Sequence, residues 1–392
     1  MSLALVVDAD GHCSEPDEDL GPWLPAEYAA RAPKRVMDHM GHTRLFFEGR
    51  IWAKGEGLGQ SVTGPFAPHI RQSRPGMRDP RQRLPDMDQE GIDVAIIFGT
   101  AIALTVNGLQ DKGLAGATCH AVNRWLLEYC AADPRRLKGV GLIPCQDPPA
   151  AVKELEFLAA NGIVSAMLPT NVYGINLGDR RFDPIYEAAQ ALDMPLSVHP
   201  QTGHDGQYGV NGVMGAGSER MEKYSYVHMT AFPFEAMIAM MHMIGEGVFD
   251  RYPRLKVAYM EGAAGWLPFW AQRLDEHFEK LRPQWHLCQR KPSEIIKSEQ
   301  IAVTCEPEED ILPTVLDMMG NTQVMYASDY AHWDSEFPES VNMLERVLGH
   351  REEDLRLVLG QNAIRWFNLQ PADLPTESVY FGRRKPLAVG AS

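Results

Sequence analysis

Ala4-Leu5-Val6-Val7-Asp8-Ala9-Asp10-Gly11-His12 sets an apolar run against a carboxylate and an imidazole two residues apart. The run over 4–7 predicts a strand, and residues i and i+2 at a strand end point to the same side. Asp10 and His12 thus offer one oxygen and one nitrogen to a single divalent ion. An Asp-x-His pair alone is common. Further β-like runs give it company, at 94–98, 139–143, 164–168, 196–198, 255–260, 301–304 and 323–327. They are rich in Val, Ile, Leu and aromatic residues and apolar throughout, as in a parallel sheet covered on both faces.

Between these runs, apolar residues recur at helical spacing over 115–132, 149–161, 184–192, 234–245, 265–281 and 308–319. Strands alternating with helices predict an α/β fold, a (β/α)8 TIM barrel formed as one unit over 1–392. An open doubly wound sheet is the competing architecture. It lacks support because no Gly-x-Gly-x-x-Gly turn follows the first strand.

Two stretches fall outside the repeat. Residues 14–81 are too many for a strand-to-helix loop and leave the barrel on the face where barrel enzymes do their chemistry. The stretch carries Trp23, Phe46, Phe47, Trp52 and Phe66 together with His39, His42 and His69. It reads as a lid-like insertion, or with equal weight as a subdomain or dimer contact. The Pro-rich stretch 371–392, with Arg383-Arg384-Lys385, reads as a C-terminal tail that wraps the body or a neighbouring subunit.

A net charge of −15 argues against nucleic acid and anionic membrane as partners. No apolar run reaches membrane-spanning length. The six cysteines form no CxxC pair, and no secretory signal precedes them, which predicts reduced thiols in a cytoplasmic protein. Cys13 and Cys305 flank predicted strand ends; small buried packing residues are the expected reading for both.

Barrel chemistry sits at the C-terminal ends of strands. Those ends carry Asp10 and His12 on strand 1, His199 on strand 5, Glu261 on strand 6, Glu306 past strand 7, and Asp329 on strand 8, followed by His332 and Asp334. Asp10, His12, His199 and Asp329 form the expected metal set. Mixed imidazole and carboxylate donors suit a single Zn²⁺ first and Mn²⁺ second. Glu261 has three readings: a base or water-orienting group, a metal ligand, or a cap for the helix starting near Gly265. His332 and Tyr330 lie on the strand 8 loop within reach of a substrate, and His228 is a further candidate. Arg78, Arg81 and Arg83 form a cluster from which one guanidinium could clamp a substrate carboxylate, Arg78 being the candidate, though a solvated helix end is the blander reading for each.

Several stretches together resemble the amidohydrolase superfamily. They are Val7-Asp8-Ala9-Asp10-Gly11-His12-Cys13-Ser14-Glu15-Pro16, Arg83-Leu84-Pro85-Asp86-Met87-Asp88-Gln89-Glu90-Gly91-Ile92-Asp93, Asn123-Arg124-Trp125 and Asp133-Pro134-Arg135-Arg136-Leu137, with the run from Gly247 to Lys256 and Ser328-Asp329-Tyr330-Ala331-His332. The likeness is to the amidohydrolase-related group that includes aminocarboxymuconate-semialdehyde decarboxylase and γ-resorcylate decarboxylase. The resemblance implies that the first-strand ligand pair falls on Asp10 and His12, with Asp10 a departure in ligand type. It implies that the strand 5 and strand 8 ligands fall on His199 and Asp329. The strand 6 histidine of those decarboxylases falls on Glu261, the most consequential departure.

The expected function is hydrolysis of a small organic, possibly ring-bearing, molecule by a metal-activated water, with Asp329 or Glu261 taking the proton. The alternative is non-oxidative decarboxylation of an aromatic or unsaturated carboxylic acid. A non-catalytic binding barrel is the reading from another class. A homodimer is expected from the apolar insertion and the tail.

Overall fold

The computed structural model describes residues 4–16, 20–37, 39, 43–51, 74–201, 216, 221 and 223–383. Eight parallel strands follow one another in chain order: β1 (Val7–Cys13), β2 (Val94–Gly99), β3 (Leu137–Leu142), β4 (Ser165–Leu168), β5 (Leu196–Val198), β6 (Val257–Tyr259), β7 (Ile301–Cys305) and β8 (Val324–Tyr326). A helix follows each: α1 (Pro80–Glu90), α2 (Lys112–Cys130), α3 (Pro148–Ala160), α4 (Asp183–Ala191), α5 (Tyr224–Gly245), α6 (Leu267–Lys280), α7 (Leu312–Met319) and α8 (Ser340–Leu348). This is the (β/α)8 barrel. The ring closes where the chain beyond β8 meets β1. There the Asp329 N–H donates to the Asp10 carbonyl at 3.0 Å, and the His12 N–H donates to the Tyr330 carbonyl at 2.8 Å.

The barrel interior is filled by alternate residues. Val7, Ala9, Val94, Ile96, Phe98, Val140, Leu142, Met167, Ala258, Met260, Ala302 and Met325 pack together there. Their neighbours along each strand, such as Val6, Ala95, Ile97, Ala166, Val257 and Val303, pack outward under the helices. Buried on both faces, the strands carry no polar alternation, which is why they were legible as continuous apolar runs.

β1 differs from expectation. It begins at Val7, where the apolar run was expected to end, so Asp8, Asp10 and His12 lie inside the strand. Its pairing with β2 shifts between Asp8 and Gly11: Asp8 stands opposite Ala95, but Gly11 opposite Ile97. The extra residue is a β-bulge, and it changes which side the following residues face. Without it, Asp10 would share the outward face with Asp8.

The described part of the long insertion forms a small antiparallel sheet of Lys34–Met37, Thr43–Phe47 and Arg50–Ile51. It leans on the start of α2, which lies at the C-terminal rim of the barrel. Glu48 accepts from the Gln110 and Asp111 N–H groups at 2.8 and 2.9 Å, and Arg31 pairs with Asp111 at 2.7 Å. Trp52, Phe66, His42 and His69 lie outside the described residues. The start of the tail is held by Asp93, which accepts from Ser378 Oγ and the Val379 N–H at 2.6 Å each. Among the described residues, no helix is long and apolar enough to cross a membrane.

Candidate metal centre

The interior face of β1 delivers Asp10 and His12, β5 delivers His199, and the turn after β8 delivers Asp329. All four are buried. From His12 Nε2 the nearest oxygens are Asp329 Oδ1 at 3.3 Å and Asp10 Oδ1 at 3.4 Å. His199 Nε2 lies 3.8 Å from Asp10 Oδ1. Each of the four residues expected as the metal set thus lies within 3.8 Å of another of them.

Glu261 joins them. Its Oε2 stands 3.0 Å from His199 Nε2 and 3.9 Å from His12 Nε2. Along β6, Ala258 and Met260 face inward, so a regular strand would turn residue 261 outward. Glu261 instead adopts a left-handed backbone with φ of 45°, held by its N–H donating to Thr304 Oγ1 at 2.9 Å. Asp329 is left-handed too, with φ of 48°. Two non-glycine residues in this costly region, both aimed at one point, mark a functional site. In the turn before α6, Glu309 accepts from the Ala264 and Gly265 N–H groups at 2.9–3.0 Å.

His332 completes the cluster. Its Nδ1 lies 2.7 Å from Asp329 Oδ1 and 4.0 Å from Glu261 Oε1, and its ring packs 4.0 Å from that of His12. Thr100 Oγ1, at the end of β2, stands 3.3 Å from both His12 Nδ1 and His332 Nε2. Its loop is set by Glu15, whose carboxylate accepts from the N–H groups of Thr100, Ala101 and Ala103.

His199 Nδ1 donates to the Pro200 carbonyl at 2.7 Å, which turns Nε2 toward the cluster. Both Asp10 oxygens, His12 Nε2 and His199 Nε2 are buried with no hydrogen-bond partner. Burial first, and then neighbouring carboxylates, pushes Asp329 well above the ordinary carboxylate range. Asp10 is likewise raised by burial, against a smaller opposing pull from His199. Burial, with His332 and His199 next in size, pulls His12 well below the ordinary imidazole range. Orphaned buried acceptors on this scale are costly unless a cation satisfies them. The ligand atoms of Asp10, His12, His199 and Glu261 lie within 4.8 Å of one another, as do those of His12, Glu261, Asp329 and His332. Donors about 2.1 Å from one divalent ion stand about 3.0–3.4 Å apart, the spacing of the His199–Glu261, His12–Asp329 and His12–Asp10 pairs.

Other candidates lie elsewhere. The Tyr330 hydroxyl donates to Asp86 on α1 and its ring stacks on the Arg83 guanidinium at 3.7 Å, so it braces the wall behind the site. Arg83 is wholly buried and donates to the His12 carbonyl at 2.8 Å, which corrects its reading as a solvated helix end or a substrate clamp. Arg78 and Arg81 are exposed. His228 stacks on Phe232 with its Nε2 3.7 Å from Asp334 Oδ2. Cys13 and Cys305 are buried packing residues, and burial raises both thiols well above their usual range.

The chain is similar to 2-amino-3-carboxymuconate-6-semialdehyde decarboxylase of Dictyostelium discoideum, 26% identical over 298 residues covering 75% of this chain and 77% of that protein. It is similar to gamma-resorcylate decarboxylase of a Polaromonas species, 30% identical over 226 residues covering 53% of this chain and 62% of that protein. The solved dihydroxybenzoic acid decarboxylase of Polaromonas sp. JS666, with bound manganese and the inhibitor 2-nitroresorcinol, has the same fold. Its TM-score is 0.66 at 19% identity, over 95% of this chain and 99% of that one. Both curated relatives are decarboxylases by name, the second of the two reactions expected from sequence and not the hydrolysis put first. The amidohydrolase family pattern matches residues 7–369. That span opens on the first residue of β1 and runs past α8, so it takes in every strand that builds the site: the chain belongs to the amidohydrolase family and is one of its enzymes.

Proposed function

We propose that this enzyme is a metal-dependent decarboxylase of a small aromatic or unsaturated carboxylic acid. The observation that carries the reading is the His332–Asp329 pair, 2.7 Å apart, standing at the edge of a converging set of orphaned donors. Asp10, His12, His199 and Asp329 would hold the divalent ion. When bound, it would supply positive charge to fix the substrate carboxylate and a neighbouring oxygen.

The chain's own residues do the rest. Pro200 and Thr100 orient the two imidazoles that turn Nε2 inward. The buried Phe98 ring packs 5.4 Å from that of His199 and backs this imidazole with an apolar neighbour. As the carbon–carbon bond breaks, its electron pair stays on the ring carbon and CO₂ leaves. The His332–Asp329 pair delivers the proton that this carbon takes up, and solvent restores it. The insertion 14–81 would cover the mouth, and the tail 371–392 would wrap the body. A homodimer in the cytoplasm completes the proposal, tested by sedimentation and by cell fractionation.

Hydrolysis is the second reading, favoured by Glu261, whose carboxylate could take a proton from water. The test is turnover in D₂O, with Mn²⁺ or Zn²⁺, on hydroxybenzoates, unsaturated acids, esters and amides. Carbon dioxide with one deuterium at the vacated carbon supports the decarboxylase. Cleaved esters or amides without carbon dioxide make it a hydrolase. No turnover and no metal uptake would leave a binding barrel.

A further inference from the structure

We infer that Glu261 is itself a metal ligand, beside Asp10, His12 and His199. This rests on the metal site of the reading above, though not on the reaction assigned to it. The geometry sets Glu261 Oε2 3.0 Å from His199 Nε2. The spacing is that of neighbouring ligands on one ion.

A second observation points the same way. Glu261 belongs to both groups of converging donors, one with Asp10, His12 and His199, the other with His12, Asp329 and His332. No other carboxylate is common to the two groups. Its backbone is turned inward against the strand's own alternation and pinned by Thr304. A base that only meets substrate needs neither the strained turn nor contact with a ligating nitrogen.

The ligand set has a chemical consequence. Carboxylate oxygens suit Mn²⁺, whereas imidazole favours Zn²⁺ and its later neighbours in the row. Glu261 therefore adds affinity for Mn²⁺ more than for Zn²⁺. A histidine at this position would reverse that balance.

The test is direct metal titration of the chelator-stripped full chain by calorimetry, with metal per chain counted by elemental analysis. It compares the wild type with Glu261→Gln, Glu261→Asp and Glu261→His. Circular dichroism and the unfolding midpoint of each metal-free variant report folding independently. We expect Glu261→Gln to weaken Mn²⁺ binding tenfold or more, and Zn²⁺ binding less. Glu261→Asp, with its shorter reach, should fall between, and Glu261→His should prefer Zn²⁺. Mn²⁺ affinity unchanged within threefold in folded Glu261→Gln would overturn the ligand assignment. Equal losses for both metals would overturn the selectivity. A wild type that takes up neither metal would overturn the metal site itself. Normal uptake without carbon dioxide release would remove the decarboxylase reading and leave this one standing.

Discussion

Asp8 and Asp10 stand two residues apart on one strand yet face opposite sides of the barrel wall. The bulge between Asp8 and Gly11 makes the difference. Asp10 turns inward to the donor cluster. Asp8 turns outward, where it accepts from the Ser328 N–H at 2.9 Å and from Ser328 Oγ at 2.6 Å and faces Arg83 Nη2 at 3.6 Å. Gly11 fits between these outward groups because it has no side chain: a Cβ there would collide with Asp8 Oδ2 and Arg83 Nη2. Both atoms belong to fully buried side chains with little room to retreat. Gly11→Ala should therefore cost about 1–3 kcal/mol as overpacking. It should also lower metal uptake, since the shift moves Asp10 and His12. Urea unfolding and metal per chain measure the two effects; full stability with full metal would refute the account.

Arg83 acts from behind the site. It is buried, donates to the His12 carbonyl, stacks on Tyr330 and faces Asp8. Removing one partner of a buried ion pair leaves the other charge uncompensated, at about 3–5 kcal/mol. Arg83→Met should lose about that much in chemical denaturation. Joint replacement with Asp8→Asn should lose less than the sum of the two single changes. Additive losses would mean that the two side chains act separately.

His332 reaches the cluster through Asp329, with Thr100 on its far nitrogen. Its part in the proposal is to carry a proton, not to hold the ion. His332→Asn should lower kcat by about 10²–10⁴ while leaving metal per chain near the wild-type value. Asp329→Asn should lower both. Steady-state kinetics beside elemental analysis separates them, and metal lost from His332→Asn would move that residue among the ligands.

Much of this was legible in the sequence, and the failures have physical causes. The strands were visible because a two-sided buried strand is apolar throughout. β1 was placed too early because Asp8, Asp10 and His12 ended its apolar run. Those polar groups are buried all the same, Asp8 against Ser328 and Arg83, Asp10 and His12 within the donor cluster. The donors at the ends of β5 and β8 needed only strand position to find. Glu261 was found by position, but its inward turn rests on φ, which composition does not encode. Arg83 looked like a solvated helix end because its partners, Asp8 and Tyr330, lie 75 and 247 residues away along the chain. Glu15 and Thr100 escaped for the same reason.

Glu90, the last residue of α1, ties stability to pH away from the site. It is buried, and its Oε1 accepts from Ser340 Oγ at the start of α8. Its Oε2 has no partner. Burial raises its carboxyl from 4.5 to about 7, against smaller opposing effects from Ser340 and Arg83. A folded-state pKa above the unfolded one means that the native protein holds a proton the unfolded chain has released. This contribution is fully present below pH 4.5, declines as pH rises towards 7, and is gone above it. At about 1.4 kcal/mol per unit, the loss amounts to at most about 3 kcal/mol. Glu90→Gln keeps the shape and removes the titration. It should be more stable than the wild type at pH 8, with the gap closing as pH falls to 4.5. Urea unfolding of the two proteins at pH 5, 6, 7 and 8 reads this directly. A gap that does not change with pH would mean that Glu90 ionises as freely in the folded protein as in the unfolded chain.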